Sequence, residues 1–406
     1  MSLIDIHCHP SLKIFLFHQH LSKKADPMNL NITTKMLVNL PDMQQGGVNA
    51  AISVHYLPEH NLIVDVKKRK IFKIIVDIAE EAFGGFIEGK FEDMSSPTAP
   101  YEQIKKMMSM LEKDVEEANN DASGKFKTRV AKSYSEFINA IDNGETVFIH
   151  SLEGAHCLGH HIDYATCEKE IIELFDAGVC QFTLAHFFEN ILVSSQGGIP
   201  PKITKTIAYD PANTYPNGYN EEDNLTERLV SKMLDLGIII DLVHCTPGAK
   251  KMVYRVNDSR GNKKRPLVFS HTGLREVAQK YKPDMPQSDL DYLPNRDDVL
   301  RIKDCDGVLG IIFMDYWLNG DEDNGNGIDV VIETIKEIKN ICGDYNHIAI
   351  GSDLDGFTEV PKDLKGIEYM PRLIDEMERQ GISKEDYLKI CFNNYKRVLQ
   401  NGWGKQ

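Results

Sequence analysis

Residues 226–245, TERLVSKMLDLGIIIDLVHC, combine an amphipathic helical pattern, a glycine and an apolar run. The apolar side chains of the first half recur three and four residues apart, which predicts a helix. Gly237 then lies where a left-handed helix cap is expected. The run that follows has no regular polar face, which is typical of a strand covered on both sides of a parallel sheet. This stretch therefore predicts a helix–strand unit of an α/β fold.

The same unit recurs along the chain. Two further helical patterns, at 167–178 and 329–343, also end at a glycine. The apolar runs that predict strands are SLIDIHCH (2–9), GVNAAISVHYL (47–57), TVFIHSLEG (146–154), GVCQFTLAHF (178–187), GIIIDLVHC (237–245), PLVFSHTG (266–273), DGVLGIIF (306–313) and HIAIGSDLDG (347–356). Eight strands that alternate with helices predict a (β/α)8 barrel of the TIM type. We expect one barrel domain over residues 1–406, with an elaborated helical connection at about 58–145.

The bulk composition excludes several classes of function. The net charge of -15 argues against a nucleic-acid partner, because such proteins need a basic surface. The eight cysteines form no Cys-x-x-Cys pair, which favours a reducing compartment over a disulfide scaffold or zinc ribbon. The first strand begins at about Leu3, and no apolar run approaches the roughly 18 residues of a membrane span. We therefore expect a cytoplasmic protein without membrane contact.

Ionisable side chains follow six of the eight predicted strands. They are His7 and His9, Glu153, His186, His244, His271, and Asp353 with Asp355. In a barrel, the carboxyl ends of all strands meet at one face, where active sites are built. One such histidine alone would most simply be a hydrogen-bonded structural residue, but the whole set would require several coincidences. Imidazole and carboxylate donors without thiolates suit Zn²⁺ or a similar divalent ion in an open catalytic site.

The order His-x-His, Glu, His, His, His, Asp resembles the amidohydrolase superfamily, and local segments narrow the resemblance to the membrane (renal) dipeptidase family. These segments are SLEGAHCL (151–158), QFTLAHFFEN (181–190), GIIIDLVHC, PLVFSHTG, NRDDVL (295–300), IGSDLDGF (350–357) and the C-terminal NNYKRVL (393–399). The resemblance runs from the first strand to the C-terminus and is weakest at 58–130. The combination in this order is specific, whereas any one segment alone is not.

The resemblance implies a dipeptidase with two divalent metal ions, with zinc as the expected metal, that hydrolyses dipeptides through a metal-activated bridging water. His7 and His9 would hold one ion, Glu153 would bridge both, and His244 with His271 would hold the second. His186 would contact the substrate and polarise its scissile carbonyl. Asp353 would be the catalytic acid and base, with Asp355 as the rival for this role.

Two departures from the family pattern affect the expected site. The family's first motif is His-x-Asp, whereas this chain has His9 in the second position, which would raise the charge of the site by about one unit and weaken the first metal's binding. Arg296 is an approximate match for the arginine that pairs with the substrate's terminal carboxylate. Arg275 competes for that role, although we expect it to form a surface ion pair.

Several alternatives remain open at this stage. A TatD-like phosphodiesterase, an N-acyl amino acid hydrolase and a metal-binding barrel without turnover share parts of the pattern. Asp241 precedes His244 and would either orient a neighbouring side chain or cap a turn. The oligomeric state is open, with a homodimer as one option. We expect the other histidines to be mostly structural or exposed: His18, His20, His55, His60, His150, His156, His160 and His161.

Overall fold

The computed structural model describes residues 2–25, 34–59, 99–120, 124–159, 163–194, 212, 214–216, 224–319, 327–356 and 360–404. Much of the connection expected at 58–145 therefore lies outside the described residues. The same holds for His60, His160 and His161.

Parallel strands form a nearly closed barrel, as predicted. The strands are β1 (Leu3–Cys8), β2 (Val48–Tyr56), β3 (Thr128–Ala131), β4 (Thr146–Glu153), β5 (Val179–Thr183), β6 (Ile239–Asp241), β7 (Val268–Thr272), β8 (Val308–Ile311) and β9 (Ile348–Ile350). Their order in the sheet is β1-β2-β4-β5-β6-β7-β8-β9. The first and last strands approach each other through a parallel bridge between Cys8 and Leu354, where the His9 N–H donates to the Leu354 carbonyl at 2.8 Å.

The short strand β3 was not predicted. It pairs with the first half of β4, from Thr146 to Ile149, whereas β5 pairs with the second half from His150 onward. Both lie on the side of β4 that faces away from β2, because β2 pairs along most of β4. The connection before β4 therefore contributes a strand to the sheet as well as helices.

Helices follow or precede most strands. They are α1 (Pro10–Phe17), α2 (Leu40–Gly46), α3 (Ala99–Asn119), α4 (Tyr134–Asp142), α5 (Tyr164–Asp176), α6 (Leu225–Leu236), α7 (Pro247–Asp258), α8 (Arg275–Tyr281), α9 (Gln287–Leu290), α10 (Arg296–Asp304), α11 (Asp315–Asn319), α12 (Gly327–Cys342), α13 (Met370–Arg379), α14 (Lys384–Leu388) and α15 (Asn394–Gly402). The three helices predicted from terminal glycines are confirmed, and Gly178, Gly237 and Gly343 all have positive φ. Among the described residues, no helix combines the length and apolar character needed to cross a membrane.

The N-terminal half of the barrel interior is an apolar cluster closed by the C-terminal helix. Alternate residues near the starts of the strands, such as Ile4, Ile52 and Ile149, meet Tyr395 and Trp403 in this cluster. Alternation along a strand sends these side chains to the same face. The cluster therefore fills the end of the barrel opposite to the predicted site.

Side chains of the segment NNYKRVL hydrogen-bond α15 to the barrel. The Asn394 side chain donates to the carbonyl oxygens of Tyr345 and Ile348 at 2.7 and 2.8 Å. The Tyr395 hydroxyl donates to Gln181 Oε1 at 2.6 Å, and both residues are fully buried. Arg397 donates to the Asn346 carbonyl at 2.7 Å. This part of the family resemblance serves the fold, not the chemistry.

Candidate metal centre

Five predicted metal ligands meet at the C-terminal end of the barrel. They are His7, His9, Glu153, His244 and His271, and each has at most 3% of its surface exposed. In β1 the register against β2 shifts between Asp5 and Cys8. Such an irregularity re-aims side chains: Cys8 packs in the outer apolar layer, with its thiol 3.6 Å from the Ile52 carbonyl. His7 and His9 instead reach Glu153 inside the barrel.

Glu153 stands between two pairs of imidazole nitrogens. Its Oε1 lies 3.4 Å from His244 Nε2 and 3.5 Å from His271 Nε2. On the other side, His7 Nε2 is 3.6 Å from Oε1, and His9 Nε2 is 3.6 Å from Oε2. The Nε2 atoms within each pair are 3.1 Å apart for His7 and His9, and 3.3 Å apart for His244 and His271.

These spacings fit two divalent ions. Donor atoms about 2.0–2.2 Å from one tetrahedral ion lie about 3.3–3.6 Å from each other. Two groups of three ligand atoms come close to these separations: His7, His9 and Glu153 at 3.1–3.6 Å, and Glu153, His244 and His271 at 3.3–3.5 Å. Glu153 is common to both groups, so it is placed to bridge two ions. The donor set is nitrogen and oxygen only, which suits zinc and similar metals.

The electrostatic environment keeps most of these ligands in their metal-binding form. Burial, followed by the neighbouring His271 ring, holds the pKa of His7 well below its ordinary value. Burial likewise lowers the pKa values of His244 and His271. Burial would raise the pKa of Glu153, but His186 and the other surrounding histidines hold it well below the ordinary value. Neutral imidazoles around an ionised carboxylate are the protonation states that a cation needs.

Asp353 lies beside the first ligand pair. Its Oδ1 is 3.1 Å from His9 Nε2 and 3.8 Å from His7 Nε2. Burial raises the pKa of Asp353 above its ordinary value, which brings a carboxylate closer to the range useful for proton transfer. Burial opposes the charge on His9, but the hydrogen bond with Asp353 and the charge of Glu153 raise the pKa of His9. Asp353 is therefore placed within reach of both ligands of one group.

Three site residues adopt left-handed backbone conformations beyond the strand ends. The φ angles are 64° for His244, 60° for Asp353 and 69° for Asp355. The strands end earlier than the apolar runs indicate, at Asp241 for β6 and at Ile350 for β9. Asp, Asn and His tolerate this conformation better than most residues. Such outliers concentrate at functional sites, where the surrounding structure holds them in place.

His186 is oriented by Glu59, a residue that the sequence analysis missed. The ring Nδ1 lies 2.6 Å from Glu59 Oε1, and the Phe187 N–H donates to the same oxygen at 3.1 Å. The Tyr56 hydroxyl donates to Glu59 Oε2 at 2.7 Å. Burial would raise the pKa of Glu59, but His186 and its other neighbours lower it to about 2.

This pair favours the charged form of His186 by raising its pKa. Burial lowers the pKa of the ring, but the ionised Glu59 and Glu153 more than offset this and raise it above the ordinary value. The His186 ring centroid lies 4.6 Å from that of His244. A signal for Glu59 was available, because it follows the end of β2 as Glu153 ends β4.

Asp355 does not reach the ligand cluster through its described hydrogen bonds. Its two carboxylate oxygens accept from the backbone N–H groups of Leu37 and Val38 at 2.8 and 3.0 Å. Asp355 therefore holds the segment before α2 against the barrel. Asp353, two residues earlier, is the carboxylate beside the histidines.

The described hydrogen bonds of the two candidate arginines do not involve the ligand cluster. Arg296 is the exposed first residue of α10, and its backbone N–H donates to Glu276 Oε1 at 2.9 Å. Arg275 donates to Asp291 Oδ1 at 2.5 Å and to the Leu290 carbonyl, which is the ion pair expected for it. Carboxylate binding by Arg296 stays a prediction.

Other histidines of the described residues serve the scaffold. His55 and His150 are fully buried, and His55 Nε2 lies 2.8 Å from His150 Nδ1. The other nitrogen of His150 lies 3.2 Å from Glu112 Oε1. His156 Nε2 lies 2.7 Å from the Leu57 carbonyl.

Comparison with known families agrees with this arrangement. The sequence profile described as membrane dipeptidase (peptidase family M19) matches residues 1–402. The chain belongs to the membrane dipeptidase family. A relative named as an uncharacterized dipeptidase of Schizosaccharomyces pombe is 26% identical over 310 residues, which cover 76% of this chain and 63% of that protein. Dipeptidase aclJ of Aspergillus oryzae is 27% identical over 174 residues, which cover 43% of this chain and 37% of the relative.

The chain therefore spans less than two thirds of the length of both curated relatives.

Solved structures support the membrane dipeptidase fold over the whole chain. A metallopeptidase described as dipeptidase AC, of family M19, superposes with a TM-score of 0.71 at 18% identity and covers 100% of this chain and 99% of its own. A metallopeptidase from Rhodobacter sphaeroides, liganded with a phosphinate mimic of L-Ala-D-Ala, gives 0.68 at 18% identity with 99% coverage of both chains.

Proposed function

We propose that this chain is a zinc-dependent dipeptidase that uses two divalent ions to hydrolyse the peptide bond of dipeptides. The observation that supports this proposal most strongly is Glu153, with four imidazole Nε2 atoms within 3.6 Å of its oxygens. A site that only stabilised the fold would not need a buried carboxylate beside the ligands, as Asp353 is. The combination is that of an open catalytic centre.

Bound divalent ions would supply Lewis-acid chemistry, because they lower the pKa of water and polarise carbonyl groups. Asp353 takes one proton from the attacking water. It then returns that proton to the amide nitrogen as the carbon–nitrogen bond breaks, so that the leaving group departs as an amine. The raised pKa of Asp353 supports both halves of this cycle, because a base of very low pKa is a poor proton acceptor.

His186 stabilises the negative charge that develops on the scissile carbonyl oxygen. Glu59 binds its Nδ1, which leaves Nε2 as the free donor. A charged ring in a buried site interacts strongly with an oxyanion, because little solvent screens it. Glu59 and His186 thus form a pre-oriented donor instead of one that must be ordered during the reaction.

We assign recognition of the substrate's terminal carboxylate to Arg296. An arginine suits this role because its planar group matches a carboxylate in two hydrogen bonds. Arg296→Ala should raise KM for a free dipeptide and leave KM for the corresponding dipeptide amide unchanged. Equal KM values for wild type and variant on the free dipeptide would assign the role elsewhere.

A cytoplasmic location is part of the proposal. All eight cysteines are buried, and none of them forms a disulfide, as suits a reducing compartment. After cell fractionation, reaction of the denatured protein with a thiol reagent should modify all eight thiols in the cytoplasmic fraction; oxidised cysteines, or recovery in another fraction, would be the opposing result.

The direct test combines metal analysis with a substrate screen. Protein stripped with a chelator and reloaded with Zn²⁺ should hold two equivalents by elemental analysis. It should release free amino acids from a panel that includes L-Ala-L-Ala and L-Ala-D-Ala. The second dipeptide is chosen because the Rhodobacter sphaeroides structure carries its mimic. Bis-p-nitrophenyl phosphate and N-acetyl amino acids serve as controls. Cleavage of either control without dipeptide hydrolysis, or two bound equivalents without turnover, would refute the proposal.

A further inference from the structure

Ser270 lies between His7, from the group His7–His9–Glu153, and His271, from the group Glu153–His244–His271. Its hydroxyl oxygen lies 2.8 Å from His7 Nδ1 and 2.9 Å from His271 Nδ1. The same hydroxyl lies 2.5 Å from Asp241 Oδ2. His7 belongs to the first group of ligands and His271 to the second, so a single side chain contacts both groups.

The hydrogen bonds around Asp241 determine where the serine proton goes. Asp241 Oδ1 accepts the backbone N–H groups of Ser270 at 3.0 Å and of Val243 at 3.2 Å. Its Oδ2 accepts the Thr183 hydroxyl at 2.5 Å and the Ser270 hydroxyl. A carboxylate with four donors around it is an acceptor only. The one hydrogen of the Ser270 hydroxyl is therefore directed to Asp241.

The remaining lone pairs of Ser270 can only accept hydrogen bonds. Each neighbouring Nδ1 atom must therefore carry the hydrogen of its ring. A neutral imidazole has one N–H group and one lone pair, so the lone pairs of His7 and His271 are on Nε2. Those are the atoms that face Glu153, at 3.6 and 3.5 Å.

We propose that Ser270, held by Asp241, is a positioning residue that fixes the metal-binding tautomer of His7 and His271 and so supports both metal sites together. Outer partners of this kind orient ligating histidines and make them more basic. The backbone around Ser270 is also tightly held. A Cβ atom at Gly310 or Gly351 would approach the Ser270 carbonyl to 2.0 or 1.7 Å. Only glycine permits this approach.

The other two histidine ligands lack such a partner. Within the described part of the chain, the Nδ1 atoms of His9 and His244 are buried without a hydrogen-bond partner. Each group of three ligands thus has one histidine whose Nδ1 contacts Ser270 and one whose Nδ1 has no hydrogen-bond partner among the described residues. Loss of the Ser270 hydroxyl should therefore weaken both sites, with neither one spared.

Ser352 and Asp5 provide a matched control within the same barrel. The Ser352 N–H donates to Asp5 Oδ1 at 3.0 Å, and its hydroxyl donates to Asp5 Oδ2, just as Ser270 contacts Asp241. The Ser352 hydroxyl, however, accepts from the Leu354 N–H at 3.1 Å. Ser352→Ala removes the same hydroxyl–carboxylate contact and leaves the Nδ1 atoms of His7 and His271 untouched.

The inference rests on the metal centre of the proposed function but not on turnover, so it is tested without substrate. Apo-protein of wild type, Ser270→Ala and Ser352→Ala is titrated with Zn²⁺ in competition with a chromophoric chelator. Ser270→Ala should lower the affinity of both equivalents about 10- to 100-fold, and Ser352→Ala should change neither by more than about threefold. Equal affinities for wild type and Ser270→Ala, or equal losses in both variants, would overturn the inference.

A second measurement reads the tautomers directly. Long-range ¹H–¹⁵N spectra of ¹⁵N-histidine-labelled apo-protein should show Nδ1–H tautomers for His7 and His271. These signals, assigned by their loss in His7→Gln and His271→Gln, should shift towards a tautomer mixture in Ser270→Ala. Asp241→Asn should have the same effect through the other end of the contact. Unchanged tautomers in both variants would refute the role of Ser270 even if the protein hydrolyses dipeptides.

Discussion

The two halves of the barrel interior bury different chemistry. At the N-terminal end, Ile4, Ile52 and Ile149 pack against Tyr395 and Trp403 in an apolar cluster. At the C-terminal end, the buried interior consists largely of ionisable groups: His7, His9, Glu153, His186, His244, His271 and Asp353. Apolar burial stabilises a fold, whereas buried ionisable groups cost free energy unless they are paired or bind metal. One end thus stabilises the barrel, and the other end holds the groups to which we assign its chemistry.

The change occurs within single strands. In β4, Val147 and Ile149 belong to the apolar cluster, while Ser151 and Glu153 continue the same face into the site. The Ser151 hydroxyl donates to the Gln181 carbonyl at 3.1 Å, which satisfies its hydrogen at this boundary. Substitutions at the two ends should therefore affect different properties. A variant that changes both alike would contradict this division.

The largest effect is expected from Asp353→Asn at the polar end. The variant should lower kcat about 10²- to 10⁴-fold, because it removes the group to which we assign proton transfer. Asn tolerates the left-handed backbone of this position, so the thermal midpoint of the apo-protein should not fall. Steady-state kinetics on a dipeptide and the zinc content of the variant check this.

Asp355→Asn is the matched control for that prediction. Its carboxylate accepts two backbone N–H groups, and an amide cannot accept both as well. This variant should lower the thermal midpoint while it retains most of kcat. If Asp355→Asn loses kcat at full stability and Asp353→Asn does not, the roles of the two carboxylates must be exchanged.

At the apolar end, Tyr395→Ala should lower the free energy of unfolding by about 3–5 kcal/mol, since it leaves a cavity in the cluster. Tyr395→Phe should cost only about 1–2 kcal/mol, because it removes the hydrogen bond to Gln181 and keeps the ring. Denaturant unfolding of the metal-free protein measures both. Both variants should still bind two equivalents of zinc. Loss of zinc binding without loss of stability would contradict the view that the two ends of the barrel interior have separate roles.

The barrel was predictable because its signals are local and repeated. Each predicted strand was indicated by a near-continuous apolar run. Three helix ends were indicated by glycines with positive φ, Gly178, Gly237 and Gly343. Neither signal depends on the rest of the chain. The strand β3 was missed because Thr128–Ala131 has only four residues and depends on pairing with β4. Tertiary pairing of this kind leaves almost no pattern in a short segment.

The positions of the candidate ligands rest on the same local signals, whereas the contacts that define the roles of their partners do not. His7 and Glu153 each end an apolar run that has no structural use for them. Glu59 lies three residues beyond β2 and acquires its role only from contact with His186, far along the chain. The role of Ser270 depends on Asp241 and on two rings from different strands. The left-handed turn at His244 likewise follows from packing, because the apolar run continues past the end of β6.

A smaller effect is expected when Glu59, the partner of His186, is changed. Glu59→Gln should lower kcat about 10- to 100-fold, because the amide holds His186 less firmly and no longer favours its charged form. Tyr56→Phe removes the contact to the other oxygen of Glu59 and leaves His186 in place, so its loss should be smaller. Kinetics of both variants test this at equal zinc content. A larger loss in Tyr56→Phe would show that the tyrosine, not the Glu59–His186 pair, acts on the substrate.

The smallest effect is expected at Glu170. A variant of this residue tests whether the pH dependence of the unfolding free energy arises only from the ionisable groups at the C-terminal end of the barrel. Glu170 lies on α5, outside the barrel interior, and burial together with nearby acidic groups raises its pKa to about 7. The fold thus favours its protonated form. Its contribution to stability is full below about pH 4.5 and is lost as pH rises through about 7.

Glu170→Gln should therefore match wild type in free energy of unfolding near pH 4.5 and exceed it at pH 8. Unfolding of the metal-free proteins at both pH values measures the difference. Glu116→Gln changes an exposed residue of α3 and should leave the profile as it is. If Glu170→Gln leaves it unchanged too, the pH dependence arises in the metal centre, where acidic and imidazole groups are concentrated.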